Sequence, residues 1–184
     1  MAGTTFSQSD LVAGGGYRPK DPTEKQFTEA LTSAVEQNLN GAGFKLAGPY
    51  DSLEEMTFPQ KKQADLVVKL SSGVKITTPQ GTPEVSSLGA LTTKYSGNCE
   101  LTGHVSMEIW EPISAQRIWT KRVEMPTATE NCTGSEMTVI KNARAKLFES
   151  AFAETTKKLD QHISPEEIES FRKQAKELRD KKVY

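Results

Sequence analysis

Two tryptophans, Trp110 and Trp119, are the residues whose type and setting best fit ligand chemistry. An exposed indole beside polar neighbours stacks on the apolar face of a sugar ring through its large area and its quadrupole. Lys121 and Arg122 follow close behind and offer a cation for a carboxylate. Successive side chains on a strand point to opposite faces, so Lys121 and not Arg122 shares a face with Trp119. Lysine is a point charge without the fork of arginine. The candidate ligand-binding set is therefore Trp119, Lys121 and Trp110. The plain alternative is that one or both indoles lie buried under helices.

Other chemistry is sparse. There is no Walker loop, dinucleotide fingerprint, Gly-x-Ser-x-Gly elbow, HExxH helix or paired CxxC. His104 falls on the polar face of its strand, and His162 at a helix end where the dipole favours a cation, so both read as surface or capping residues. Glu108 and Glu111 lie three apart on a strand and face opposite sides, which excludes a paired acid and base. Gly14-Gly15-Gly16 has no strand before it and no helix after it, and reads as a linker. No catalytic residue, cofactor or metal is expected, and the chain is not read as an enzyme; a small hydrolase is the third-ranked reading.

Cys99 and Cys132 are the only cysteines and bracket a hairpin. In an oxidising compartment they would form one disulfide, closing a loop of about 30 residues for roughly 3–4 kcal/mol in the chain-entropy model. Two free thiols are the alternative. A zinc site that adds His104 ranks lower, because no short ligand spacing preorganises it.

The elements that must position these residues follow from periodicity. Residues 101–111 alternate, with Leu101, Gly103, Val105, Met107 and Ile109 on one side. A turn at Pro112-Ile113-Ser114-Ala115-Gln116 returns the chain over residues 117–125. Thr23 and Gln26 open a helix over 23–40 with Phe27, Leu31, Val35 and Leu39 on one stripe. A long helix over about 136–161 carries Ile140, Ala143, Leu147, Phe148, Ala151, Phe152 and Leu159. Ser164, Pro165 and Glu167 cap a last helix over 164–182, whose stripe is Ile168, Phe171, Ala175 and Leu178. Phe44-Lys45-Leu46 reads as a short strand, residues 51–56 as a helical turn and 65–70 as a buried strand. In residues 71–98, rich in Ser, Thr, Gly and Pro, Val74-Lys75-Ile76-Thr77-Thr78 can continue or add a strand before Pro79 to Pro83 break it and leave a polar excursion, either a binding loop or a disordered hairpin tip.

The expected fold is α+β: an antiparallel or mixed sheet packed by two helices, with an extended C-terminal helix. Residues 1–22 form an N-terminal tether or edge segment, and 23–184 a single domain. With 23 basic against 24 acidic residues, the net charge of −1 gives no field to draw in nucleic acid or an anionic membrane. No apolar run of membrane-spanning length and no signal peptide occur, so the chain as given is expected to be soluble.

Three segments carry a family resemblance. Glu169-Ser170-Phe171-Arg172-Lys173-Gln174-Ala175-Lys176-Glu177-Leu178, Phe58-Pro59-Gln60-Lys61-Lys62 with the following Leu66-Val67-Val68, and Glu111-Pro112-Ile113-Ser114 occur in that family's order. With Asn40-Gly41-Ala42-Gly43-Phe44-Lys45 they spread over about residues 23–182. The chain thus resembles the neuraminyllactose-binding haemagglutinin family of bacterial outer-membrane lipoproteins, described as adhesins. The resemblance implies a non-enzymatic protein of the outer membrane and cell surface, exported with its signal peptide removed. It implies membrane attachment only through an N-terminal lipid anchor, which Met1-Ala2 would replace here, since no cysteine precedes Cys99. The implied partner is a host-surface glycan or an envelope protein. A structural or assembly module that binds another protein through its C-terminal helix or a sheet edge is the alternative. The basic Lys-Arg-x-x-x-Lys motif proposed for sialic acid in that family has no match around residues 75–87, which hold one lysine and two prolines.

Overall fold

The alternation read over 101–111 belongs to a central strand that organises the rest of the chain. The computed structural model describes residues 3–4, 22–47, 50, 53–85, 89, 91–135 and 137–181. In chain order its elements are β1 (Gly3–Thr4), α1 (Pro22–Gly41), α2 (Phe58–Gln63), β2 (Val67–Thr77), β3 (Gly81–Val85), β4 (Leu91–Tyr95), β5 (Asn98–Glu111), β6 (Gln116–Glu124), β7 (Ala128–Asn131), α3 (Met137–Asp160) and α4 (Pro165–Lys181). The main sheet runs β1-β2-β5-β6, with β7 paired to the first residues of β5; β3 and β4 form a separate ribbon. All pairings are antiparallel except β1 with β2. The fold is α+β with a mixed sheet and a C-terminal helix, as the patterning predicts.

Side-chain alternation gives the sheet two unlike faces. Val68, Leu70, Val105, Met107, Ile109 and Val123 are buried on the helix-facing side, against Leu31 and Val35 of α1 and Leu147 and Ala151 of α3. Phe27 fastens the two helices, its ring 4.9 Å from Phe148 and 6.2 Å from Phe152. The other face carries Lys69, Ser71 and Lys75 of β2 opposite Glu108, Ser106 and Thr102 of β5, a polar pattern suited to water. His104 lies on this face, its ring flat on Gly73: a Cβ there would stand 2.6 Å from His104 Cε1.

Several elements differ from the sequence expectation. Phe44-Lys45-Leu46 forms no strand; Phe44 and Leu46 pack against the core from an irregular link. Phe58–Gln63, which carries no expected element, is a short helix, where the Gln60 carboxamide accepts from the Thr57 backbone N–H at 2.7 Å and Pro59 sits in the first turn. The buried strand, by contrast, continues through 74–77 as that stretch allows, because Ser72, Val74 and Ile76 find partners on β5. The 71–98 excursion contains the β3–β4 ribbon, and β7 is an additional strand. The expected Thr23 cap concerns a side chain outside the described residues, as do residues 51 and 52 of the expected turn. Most of segment 1–22 also lies outside them, though Gly3 and Thr4 pair with Val67 and Val68. At α4 the expected cap is present: Glu167 N–H donates to Ser164 Oγ at 3.3 Å and Ser164 N–H to Glu167 Oε2 at 3.4 Å.

Cys99 and Cys132 are joined, their Cα atoms 5.6 Å apart. Both are buried, and the link staples the end of β7 to the start of β5.

Leu147→Ala and Phe148→Ala should each cost about 2–5 kcal/mol, since both truncate side chains in the helix–sheet core; denaturant midpoints unchanged within error would contradict this packing. Replacing Cys99 and Cys132 together by alanine should cost roughly 3–4 kcal/mol by the loop-closure argument, and a non-reducing peptide map after periplasmic expression should show the two peptides linked.

Candidate functional site

The bulge in β6 decides where the candidate residues go. Ile109 pairs with Trp119 but Trp110 pairs with Arg117, so Ile118 is the extra residue. Trp119 faces the helices, its indole 5.3 Å from Phe171 of α4 and 5.9 Å from His162 at the α3–α4 corner. It fills the joint under α4 and offers only part of a ring to solvent. Lys121 shares that side of β6 and is exposed. Trp110 lies on the opposite face, beside Tyr50, Leu53 and Met56. Its Nε1–H donates to Glu108 at 3.1 Å, and the Arg117 guanidinium stands 5.9 Å over its ring. Trp119 and Lys121 are therefore brought to one side of the sheet and Trp110 to the other, so the three do not converge on one ligand.

What does converge is a set of residues of which only Glu111 draws notice by its type. Arg172 and Arg179 are two turns apart on α4, on the side that faces the sheet end. Arg172 holds Asp65 through Nε at 3.0 Å and Nη2 at 2.5 Å, and reaches back along its own helix to Glu169 at 2.6 Å. Arg179 holds Glu111 through Nε at 2.7 Å, while its Nη2 donates to the carbonyls of Ala64 at 2.6 Å and Asp65 at 3.2 Å. Glu111 also accepts from the backbone N–H groups of Ile113 at 3.0 Å and Ser114 at 2.5 Å. One carboxylate thus closes the β5–β6 turn and docks the last helix.

The electrostatics of this joint make it a clamp. Glu111 is fully buried. Burial alone would raise its pKa, but the donors from Ser114, Arg179 and Ile113 outweigh it and hold the carboxyl below the ordinary glutamate range. For Asp65, burial again acts upward and is outweighed by cationic donors, Arg172 among them, so its pKa is lowered. Arg172 is shifted upward, chiefly by its hydrogen bonds to Asp65 and Glu169. Carboxylates held ionised against guanidinium groups are poor general acids and bases at neutral pH. A shallow groove of about 370 Å³ lined by Asp65, Glu169, Arg172, Lys173, Lys176 and Arg179 runs along this joint. Among the described residues no group of three or more His, Cys, Asp or Glu is placed to hold a metal ion, and no helix is long and apolar enough to cross a membrane.

The residues of the joint lie in or directly beside the segments that carry the family resemblance, with Arg179 just past the last of them. Arg172 sits in Glu169 to Leu178, Glu111 opens Glu111 to Ser114, and Asp65 lies between Lys62 and Leu66. Helical periodicity finds the apolar stripe but not the arginines beside it.

No protein-family model and no curated protein sequence matches the chain. Among solved structures, one described as a neuraminyllactose-binding hemagglutinin homolog from Helicobacter pylori matches with a TM-score of 0.67 at 15% identity, over 96% of this chain and 90% of that one. A structure described as a lipoprotein from Caulobacter crescentus matches at TM-score 0.41 and 12% identity, over 86% of this chain and 87% of that one. A minor lipoprotein from Acinetobacter baumannii matches at TM-score 0.39 and 11% identity, over 87% and 90%. This chain shares the fold of the Helicobacter protein over nearly its whole length.

Arg179→Ala should destabilise the domain by about 2–4 kcal/mol, because it leaves a buried carboxylate without its cation. Glu111 has a lowered folded pKa, so its contribution is complete above the unfolded value and is lost as pH falls through the folded one. Glu111→Gln should therefore flatten the acid limb of a stability–pH profile below the ordinary glutamate range; an unchanged limb would show that Glu111 is not ionised in the joint.

Proposed function

We propose that this chain is the folded domain of a non-enzymatic cell-envelope lipoprotein of adhesin type, held at the outer-membrane surface by an N-terminal lipid anchor. The observation that carries the reading is the joint around Glu111 and Arg179. Arg179, one residue past the 169–178 segment that resembles the haemagglutinin family, bonds there to Glu111, which opens the 111–114 segment, and to Ala64 between Lys62 and Leu66, and the whole domain has the fold of the Helicobacter hemagglutinin homolog. The resemblance segments thus lie at or beside the residues that join the last helix to the sheet end.

The ligand class is a separate question, on which the charge pairing bears. Recognition of an anionic sugar needs a guanidinium fork for its carboxylate, an apolar platform and satisfied hydroxyls. Arg117, Arg122, Arg172 and Arg179 each already hold a protein carboxylate, at 3.0, 2.7, 2.5 and 2.7 Å. Trp119 is engaged under α4 and Trp110 beneath Arg117. These pairings favour the second reading, a module that binds another envelope protein, over a sialic-acid lectin.

Labelling the full-length precursor with radioactive palmitate and treating intact cells with protease tests the envelope reading. Incorporated lipid and surface cleavage are expected; an unlabelled cytosolic protein would overturn it. Calorimetry with sialyllactose should give no saturable isotherm below about 100 μM. A saturable isotherm abolished by Lys121→Ala would restore the lectin reading, and a glycan array would then identify the preferred sugar.

A further inference from the structure

The β3–β4 ribbon stands off the main sheet, and its residues sort by face. Val85 pairs with Leu91, Pro83 with Thr93 and Gly81 with Tyr95 on one side; Glu84 pairs with Thr92 and Thr82 with Lys94 on the other. The second side is internally satisfied. Glu84 and Lys94 approach to 3.7 Å, and the hydroxyls of Thr82 and Thr92 donate to the Lys94 and Glu84 carbonyls at 3.3 and 3.1 Å. The first side is apolar and open, with Val85 66% and Leu91 77% exposed. Gly81 lets the Tyr95 ring settle across the strand, since a Cβ there would come within 2.9 Å of Tyr95 Cε1. A lone two-stranded ribbon is marginally stable in water, yet the base of this one is held firmly. Cys132 N–H donates to the Gly97 carbonyl at 2.9 Å and Gly97 N–H to Thr133 Oγ1 at 3.2 Å, next to the disulfide.

The two edges of the ribbon are unlike. Tyr95 turns its N–H and C=O outward to Gly134, at 2.7 and 2.9 Å. That fixes the alternation: Thr93 and Leu91 also direct their backbone groups outward, whereas Lys94 and Thr92 bond to β3. By the same rule Pro83, opposite Thr93, has its ring nitrogen on the outer edge of β3, where it removes a donor and blunts that edge. The edge strand β6 of the main sheet is guarded differently, by Arg117, Lys121 and Arg122. The charged residue of β4, Lys94, is turned to Glu84 of its paired strand, and among the described residues neither device stands at Leu91 and Thr93.

We propose that the outer edge of β4 receives an extended segment of another polypeptide as an added strand, whose alternate apolar side chains pack beside Leu91 and extend the apolar face that Val85 begins. The added strand would continue the ladder whose first rung is the Gly134–Tyr95 bridge. A second copy of this chain is disfavoured by size. Two five-residue strands fall well short of the about 20–30 residues per side of a stable protein interface, whereas strand addition draws its affinity from backbone hydrogen bonds. This inference rests on the protein-binding reading above and gives it a location.

The test is selection of a phage-displayed random-peptide library on the disulfide-bonded protein, with counter-selection on Thr93→Pro, which removes one outward N–H as Pro83 does on the other edge. Enriched peptides should show alternating apolar positions and should slow amide exchange at Leu91 and Thr93 by at least about tenfold. Leu91→Asp should abolish binding with the thermal midpoint retained. No enrichment over the Thr93→Pro variant, or protection at other amides, would overturn the proposal. So would concentration-dependent dimers, or co-sedimentation with phosphatidylethanolamine–phosphatidylglycerol vesicles, if Leu91→Asp abolished either. Palmitate labelling and surface cleavage of the Leu91→Asp precursor separate the two levels: if they persist while peptide binding is never found, only the strand-addition proposal fails.

Discussion

A carboxylate with no exposure to water must be fully paired where it lies, and that requirement at Glu111 organises one end of this protein. Its oxygens accept from the Ile113 and Ser114 backbones and from Arg179. The β5–β6 turn, the last helix and, through the carbonyls of Ala64 and Asp65, the entry to β2 are thereby fixed to a single point. Removing any one partner leaves the others in an apolar setting, where an uncompensated charge or donor is costly. Arg172 and Asp65 repeat the arrangement two turns earlier on α4 at a more exposed position, where pairing is worth less.

This clamp explains how a charged helix with a thin apolar stripe docks stably. Ile168, Phe171 and Ala175 are buried beneath α4, and Phe171 completes an aromatic contact with Trp119. The stripe supplies apolar burial, and the arginines set the register along the sheet end. The indole at position 119 is thereby used as packing, which removes the larger part of the surface a sugar ring would need.

At the far end of β5 the same logic is carried out covalently. The disulfide and the 132–134 segment hold the base of a ribbon whose own strands bury little. The domain is thus built between two fixed ends, a charge clamp at the C-terminal end of β5 and a covalent one at its start. The ribbon's apolar face remains open beyond the second.

Periodicity alone determined the class of fold and most of its core. The alternation of Leu101, Val105, Met107 and Ile109 and the helical spacing of Leu31, Val35, Leu147 and Ala151 leave little choice of faces, because burying them requires helices on one side of a sheet. The Ser164–Glu167 cap was equally legible, since it depends on neighbours in the chain. Other features needed the tertiary structure. The irregular link at Phe44 to Leu46 arises where packing overrides a short-range strand pattern, and the helix at Phe58–Gln63, on which no periodicity bears, is set by a local cap. The bulge at Ile118 sends Trp110 and Trp119 to opposite faces, and one extra residue in a strand has no signature in composition. Arg172, Arg179, Asp65 and Glu111 are ordinary charged residues in sequence; they form a site only because the fold brings segments up to 115 residues apart within hydrogen-bonding reach, in surroundings dry enough to make each pairing count.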